Sequence, residues 1–183
     1  MRNALFAGLF ASVVTTVVLA VPGGELKKGD KVPPSKFNDV IWNWDGAESV
    51  QDYLGEPVLV DYWGRHCGPC VGEAVPHAIK LQTKFADQGL HTVLVHCQDG
   101  TRDEVVAFTL QTFPGCTPTA VLSQNSPFHI AGDGLPKQAV IGVDGTVVWT
   151  SNDSGSLDKA IEAELEKLHH IRDLDKALAP AAK

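Results

Sequence analysis

The chain has 183 residues, enough for one domain with a tail. Its composition is that of a globular protein, and a formal net charge of −7 excludes a nucleic-acid partner, which needs a Lys/Arg surface to meet phosphates. No internal repeat, long low-complexity segment or block of one charge sign interrupts the chain. One early arginine precedes an uncharged run from Ala4 to Val21, and Val18-Leu19-Ala20 offers a small-x-small cleavage site. Residues 1–22 therefore read as a secretory signal peptide or, uncleaved, as an N-terminal anchor. Either reading takes the folded part to a periplasmic or other extracytoplasmic place, where disulfides persist.

Residues 23–35, rich in Gly, Pro and Lys, read as a linker, residues 36–178 as the domain, and residues 179–183 as a disordered tail. Within the domain, Phe37 to Trp44 reads as a short strand with a turn at Asp45-Gly46. A short helix stopped by Gly55 follows, and then the apolar strand PVLVDYW. A helical pattern runs from Cys70 to about Phe85, with Gly89 as its stop, and LHTVLVHC is a second interior strand. Thr101 with Glu104 has the spacing of a capping box, opening a helix that Pro114-Gly115 closes. TPTAVLS reads as a short strand, SPFHIAGDGLP as loop, and KQAVIGVDGTVVW as a hairpin turned at Asp144-Gly145. The last helix starts at Ser156 and carries Leu157, Ile161, Leu165 and Leu168 at helical spacing, a face that covers the sheet. The order predicts an α/β sandwich whose sheet mixes parallel and antiparallel strands.

The chemistry concentrates in VLVDYWGRHCGPC, Val58 to Cys70. Cys67 and Cys70 fall where a strand ends and a helix begins. Free N–H groups and the positive end of the helix dipole favour a thiolate on Cys67 there. A lowered thiol pKa makes a better nucleophile and leaving group near neutral pH. Cys67 is thus expected to attack, and Cys70, one turn in, to resolve the mixed disulfide. Pro69 holds the helix start. Asp61 interrupts an apolar strand, so burial raises its pKa and suits it to exchange a proton with Cys70. The plainer reading is a buried aspartate that only hydrogen-bonds to backbone.

The same segment closely resembles the active-site segment of the thioredoxin superfamily: an apolar strand, Trp, then Cys-Gly-Pro-Cys. The stretch from Gly29 to Gly64 is similar to the N-terminal portion of exported thiol:disulfide oxidoreductases of the TlpA-like and ResA-like type, and GLPKQAVIGVDGTVVW to their later segment. The resemblance covers roughly residues 29 to 170. It implies a thioredoxin-like sandwich, a central mixed sheet flanked by helices with an N-terminal hairpin extension. It implies a disulfide reductase acting on exported proteins, with a redox-active disulfide, no further cofactor, and a possible membrane electron donor. By resemblance Pro136 is a cis proline facing the disulfide, and Trp63, His66, Gly68, Pro69, Leu135 and Pro136 form the substrate-binding surface. Glu73 matches a glutamate three residues after the second cysteine and is a candidate modulator. Three features depart from the pattern. Asp61 stands where many TlpA-like proteins have Asn, and His66 where Trp is usual. The helix-kinking proline, Pro76, falls one residue late.

Cys97 and Cys116 remain. In an exported protein an even leftover pair is most simply a structural disulfide, against two independent buried thiols. A four-cysteine metal site lacks a second short-spaced pair, so no metal is expected. FPGCT around Cys116 has a faint likeness to a peroxidatic loop. Two further functions stay open: a thiol peroxidase using Cys116 or Cys67, and a thioredoxin-like docking domain in which the Cys67–Cys70 bond is only structural.

Overall fold

A computed structural model of the chain describes residues 24–34, 36–37, 40–42, 46–116, 120–122 and 128–179. The expected signal segment and residues 180–183 of the expected tail lie outside the described residues, as does Asp45 of the expected first turn.

Among the described residues three α-helices and eight strands follow one another as β1 (Glu25–Leu26), β2 (Val40–Trp42), β3 (Val58–Trp63), α1 (Val75–Phe85), β4 (His91–His96), α2 (Arg102–Thr112), β5 (Ala120–Leu122), β6 (His129–Ile130), β7 (Lys137–Ile141), β8 (Val147–Thr150) and α3 (Leu157–Leu178). The six-stranded sheet runs β2-β5-β4-β3-β7-β8. β3 lies parallel to β4 and antiparallel to β7, so both of its edges are paired. Every residue of β3 is buried, which is why its sequence reads as an apolar run rather than an alternation.

The pleat divides that run into two cores. Leu59 and Trp63 face one, with Leu94 and Val140 from the neighbouring strands, and helix residues Val75, Ala78, Val105, Ile161 and Leu165 pack there. Val58, Val60 and Tyr62 face the other, under Val50, Tyr53, Leu26 and Ile130. By position, Asp61 belongs to the Leu59–Trp63 side, the side covered by helices.

The local signals work as the chemistry requires. The Thr101 hydroxyl accepts the Glu104 N–H (3.4 Å), and the Glu104 carboxylate accepts the Thr101 N–H (2.8 Å). Gly89, at φ +109°, ends the turn after α1 in a backbone region that side chains avoid. The β7–β8 turn is pinned by Asp144, which accepts from Lys31 Nζ (2.8 Å) and the Thr146 N–H (3.0 Å). The Lys31 contact leads in holding the Asp144 carboxyl down to about 2.

Three expectations at this level are corrected. The stretch read as a linker docks: β1 pairs in parallel with β6, and Lys31 bridges to Thr146. The same pairing makes a strand of His129–Ile130, in a stretch read as loop. Among the described residues of the N-terminal extension, hairpin pairing is confined to a single bridge. One antiparallel bridge joins Lys36 to Ser49, while β2 pairs instead with β5 at the edge of the main sheet. Turn signals report local geometry; which edge accepts a two-residue strand depends on long-range packing they do not encode.

Candidate active site

β3 ends at Trp63 in the centre of the sheet, and the chain turns through Gly64–His66 into the cysteines. Cys67 and Cys70 are joined as a disulfide, with Cα atoms 5.2 Å apart. The two sulfurs differ in surroundings. Cys67 is partly exposed, and its sulfur accepts the Cys70 N–H at 3.2 Å. Cys70 is fully buried, in the core that holds Trp63 and Val75. An N–H aimed at Cys67 at a helix start is the arrangement that stabilises a thiolate there once the bond opens. Gly68 and Pro69 are exposed beside it, and Pro69 already has helical backbone angles (φ −61°, ψ −33°).

Cys70–Ala74 forms a π-helical turn, closed by the Val75 N–H on the Cys70 carbonyl, before α1 begins. A π turn holds one residue more than an α turn. It absorbs the extra residue in CVGEAVP and lets Pro76 sit in the first turn of α1, where its missing N–H costs nothing. Glu73 lies on this turn, exposed to solvent.

Asp61 is fully buried. Gln138 Nε2 donates to its Oδ2 at 3.0 Å, while Oδ1 has no partner. Burial pushes its pKa up to about 7, against a lowering by the Gln138 bond. One amide cannot replace the hydration that a carboxylate loses, so the proton stays near neutrality. Leu59 and Trp63, which flank Asp61 on its face of the strand, pack in the same core as Cys70. The loop from the other side brings in a cis peptide at Leu135–Pro136, directly before β7.

The same arrangement of strands and helices is found in known structures. A thiol:disulfide interchange protein from Bacteroides sp. is 21% identical, with TM-score 0.58, the match covering 77% of this chain and 91% of that one. The thioredoxin domain of a thiol-disulfide oxidoreductase from Bacteroides vulgatus is 18% identical, with TM-score 0.55, covering 78% and 98%. A secreted thiol-disulfide isomerase from Corynebacterium glutamicum is 16% identical, with TM-score 0.57, covering 84% and 98%. The chain has the thioredoxin fold. No protein-family model matches the sequence, and no curated protein does.

On this thioredoxin fold, the corner before Cys67 is held from β4. The His66 N–H donates to Gln98 Oε1 at 2.8 Å, and the Arg65 N–H to His96 Nε2 at 3.4 Å. His96 is buried, edge-on to Trp63, and accepting at Nε2 requires the neutral ring. Burial, then the charges of Arg65 and His66, hold its pKa down to about 4. The sequence favours a satisfied core or surface histidine at His96 over a metal ligand, and gives no role to Gln98. The only available signal was a polar pair closing an otherwise apolar strand. Gly64 completes the corner: a Cβ there would stand 2.2 Å from the Gln98 side chain. Gly64→Ala is therefore expected to displace Gln98 and destabilise by about 1 kcal/mol, the scale of its lost hydrogen bond to the His66 N–H. It should also slow disulfide exchange, both read by urea unfolding and a reduction assay on one preparation. Normal stability with normal exchange would show that the corner tolerates displacement of Gln98.

Two expectations about the site fail. Trp63, expected to be both core and site wall, is core and not a substrate contact. It is fully buried, against Phe108, Phe113 and His96, so it supports the corner from beneath. Cys97 and Cys116 are not bonded to each other. Cys116 packs into the core containing Trp63, and Cys97 against the core containing Tyr62, on the opposite face of the sheet. Parity suggested a bridge, but the pleat separates the partners. Burial raises both thiols, Cys97 to about 11 and Cys116 to about 12.

Proposed function

We propose that the chain is a thiol:disulfide oxidoreductase that reduces disulfides of exported proteins. The observation that carries this is the unequal cysteine pair: an accessible Cys67 receiving an N–H, and a buried Cys70 in the core of Leu59 and Trp63, the strand neighbours of a carboxyl poised near 7. In the reduced protein the Cys67 thiolate attacks one sulfur of a client disulfide. The client S–S bond breaks, a Cys67–client disulfide forms, and one client thiolate leaves. Cys70 then passes its proton to the Asp61 carboxylate and attacks the Cys67 sulfur. The second client thiolate leaves, and the Cys67–Cys70 disulfide forms, the state seen here. A dithiol donor must reduce it for another cycle, and a membrane partner is the donor class that fits an exported protein.

Export rests on the uncharged run Ala4–Val21 and on the likeness to a secreted isomerase. Among the described residues no helix is long and apolar enough to cross a membrane. The Gly-Pro spacer, shared by resemblance with thioredoxin, supports the reducing direction, and His66, exposed at the corner, is the residue that would tune the potential. Leu135 and Pro136 are proposed to take the client backbone, with Gly68 and Pro69 opposite, and Glu73 stays a candidate modulator. A peroxidase built on Cys116 is disfavoured, because a buried thiol near 12 yields almost no thiolate at neutral pH.

Cys67→Ser is expected to abolish dithiol-driven reduction of a disulfide-bonded protein, by about a thousandfold or more, while thermal unfolding shows an intact fold. A folded, fully active Cys67→Ser protein would overturn the proposed exchange at Cys67.

A further inference from the structure

Asp61 and Gln138 stand opposite each other in the antiparallel pair of β3 and β7. Side chains so placed have Cβ atoms about 5 Å apart, within reach of a glutamine amide. Gln138 Nε2 uses that reach to donate to Asp61 Oδ2 at 3.0 Å. The amide is carried on a rigid element. β7 lies inside the sheet, between β3 and β8. The Gln138 carbonyl accepts the Ser151 N–H (2.9 Å), and the Gln138 N–H donates to Ser151 Oγ (3.3 Å). A side chain on such a strand holds its aim.

The other elements packed on β3 bring no ion pair to the acid. From β4, Leu94 stands opposite it, and the Cys97 thiol feels its charge while packing on the other core. From β7, Lys137 pairs with Tyr62, on the other face by the pleat, and bonds to the Ile130 carbonyl (3.3 Å). From the π turn comes buried Cys70, while Glu73 is exposed. α1 buries Val75, Ala78 and Leu81 there, and its His77, Lys80 and Lys84 are not buried. Among the described residues, then, the Gln138 amide is the polar group that meets the carboxyl.

We infer that Gln138 is a positioning residue for the buried acid: it fixes Oδ2 as an acceptor, leaves Oδ1 as the oxygen that takes and returns the resolving proton, and so governs the step in which Cys70 releases the client. The inference rests on the oxidoreductase reading and adds the residue through which the acid is set. An N–H donor favours the carboxylate over the protonated acid. It opposes the burial that holds Asp61 near 7. Without the donor, Asp61 keeps its own proton to higher pH and cannot accept the one from Cys70.

The test mixes the reduced protein with one equivalent of dithiobis(nitrobenzoate) and follows thionitrobenzoate release across pH 5–9. Cys67 attack releases the first equivalent. Cys70 resolution releases the second and closes the Cys67–Cys70 disulfide. Gln138→Met, similar in length but without a donor, is expected to move the pH midpoint of the second phase up by about one unit, the scale of one hydrogen bond to a charged group. At pH 7 the second phase should slow several-fold relative to the first, and the gap should close by pH 9. If Gln138→Met does not fold, Gln138→Glu should move the midpoint up as well, because a second carboxylate opposes ionisation of the first. With Asp61 already replaced by Asn, Gln138→Met should shift nothing. A merely structural glutamine would lower stability and leave the midpoint in place. An unchanged midpoint in the folded variant, or an equal shift in the Asp61→Asn background, would overturn the positioning role and leave the oxidoreductase reading standing. An unsubstituted protein that releases no second equivalent would remove the oxidoreductase reading, and this role with it.

Discussion

Asp61→Asn is expected to make the oxidised protein more stable at pH 8, by about 2–4 kcal/mol, and to leave its stability almost unchanged near pH 4. The window follows from one carboxyl. Folded, Asp61 releases its proton near 7; in the unfolded chain it does so near 3.8. Between those values the unfolded state has given up a proton that the folded state keeps, so stability falls as pH rises. Below the window both states are protonated and burial carries no charge penalty. Above it the folded protein holds a buried carboxylate with one bond to Gln138 and an unpartnered Oδ1. The gap of about three pKa units corresponds to about 4 kcal/mol; an asparagine that also leaves polar atoms unpaired recovers part of it. Urea unfolding of both proteins across pH 4–8 reads the window directly. A gain that did not depend on pH would mean that packing, not ionisation, is the cost at this position. The same substitution is expected to slow resolution by Cys70 at neutral pH, since the proton acceptor is gone. A group that destabilises the fold and speeds the chemistry is what a functional site predicts; a purely structural buried aspartate would show the stability effect without the kinetic one.

How much of this was legible in the sequence depends on the range of the physics involved. The Thr101–Glu104 box, the Asp144-Gly145 turn and the helix following Cys70 are encoded within a few residues, and each lies where the spacing put it. Asp61 was legible because a charge inside VLVDYW has no solvent to turn to, and its burial and raised pKa follow. Three things were not legible. That Cys97 and Cys116 sit across the sheet depends on which core each enters, and counting cysteines carries no information about faces. That Trp63 lies under the site, not beside it, depends on Phe108 and Phe113, some 45 to 50 residues later in the chain. The late proline looked like a helix bent away from its usual path, yet a single π turn takes up the extra residue, a local solution that propensities do not advertise.

Cys70→Ser carries the second large expectation: roughly stoichiometric accumulation of a covalent complex with a disulfide-bonded client, which the unsubstituted protein passes through and does not retain. Once Cys67 has formed its mixed disulfide, release needs a second sulfur within reach of Cys67. Cys97 and Cys116 are the other thiols of the chain. Burial holds Cys97 near 11 and Cys116 near 12, so at pH 7 each is almost wholly protonated, and the thiolate is the species that exchanges. A serine hydroxyl at position 70 cannot take their place. The complex should therefore survive on a non-reducing gel, vanish on adding a dithiol, and be absent when Cys67→Ser is combined with Cys70→Ser. Turnover by Cys70→Ser at the rate of the unsubstituted protein would show that another thiol resolves the intermediate. Suspicion would fall first on Cys97. It borders a hollow beside Leu135 and is partly exposed, whereas Cys116 is buried in the core on the other face. Lys137 and Asp61 are the charges that act on the Cys97 thiol there.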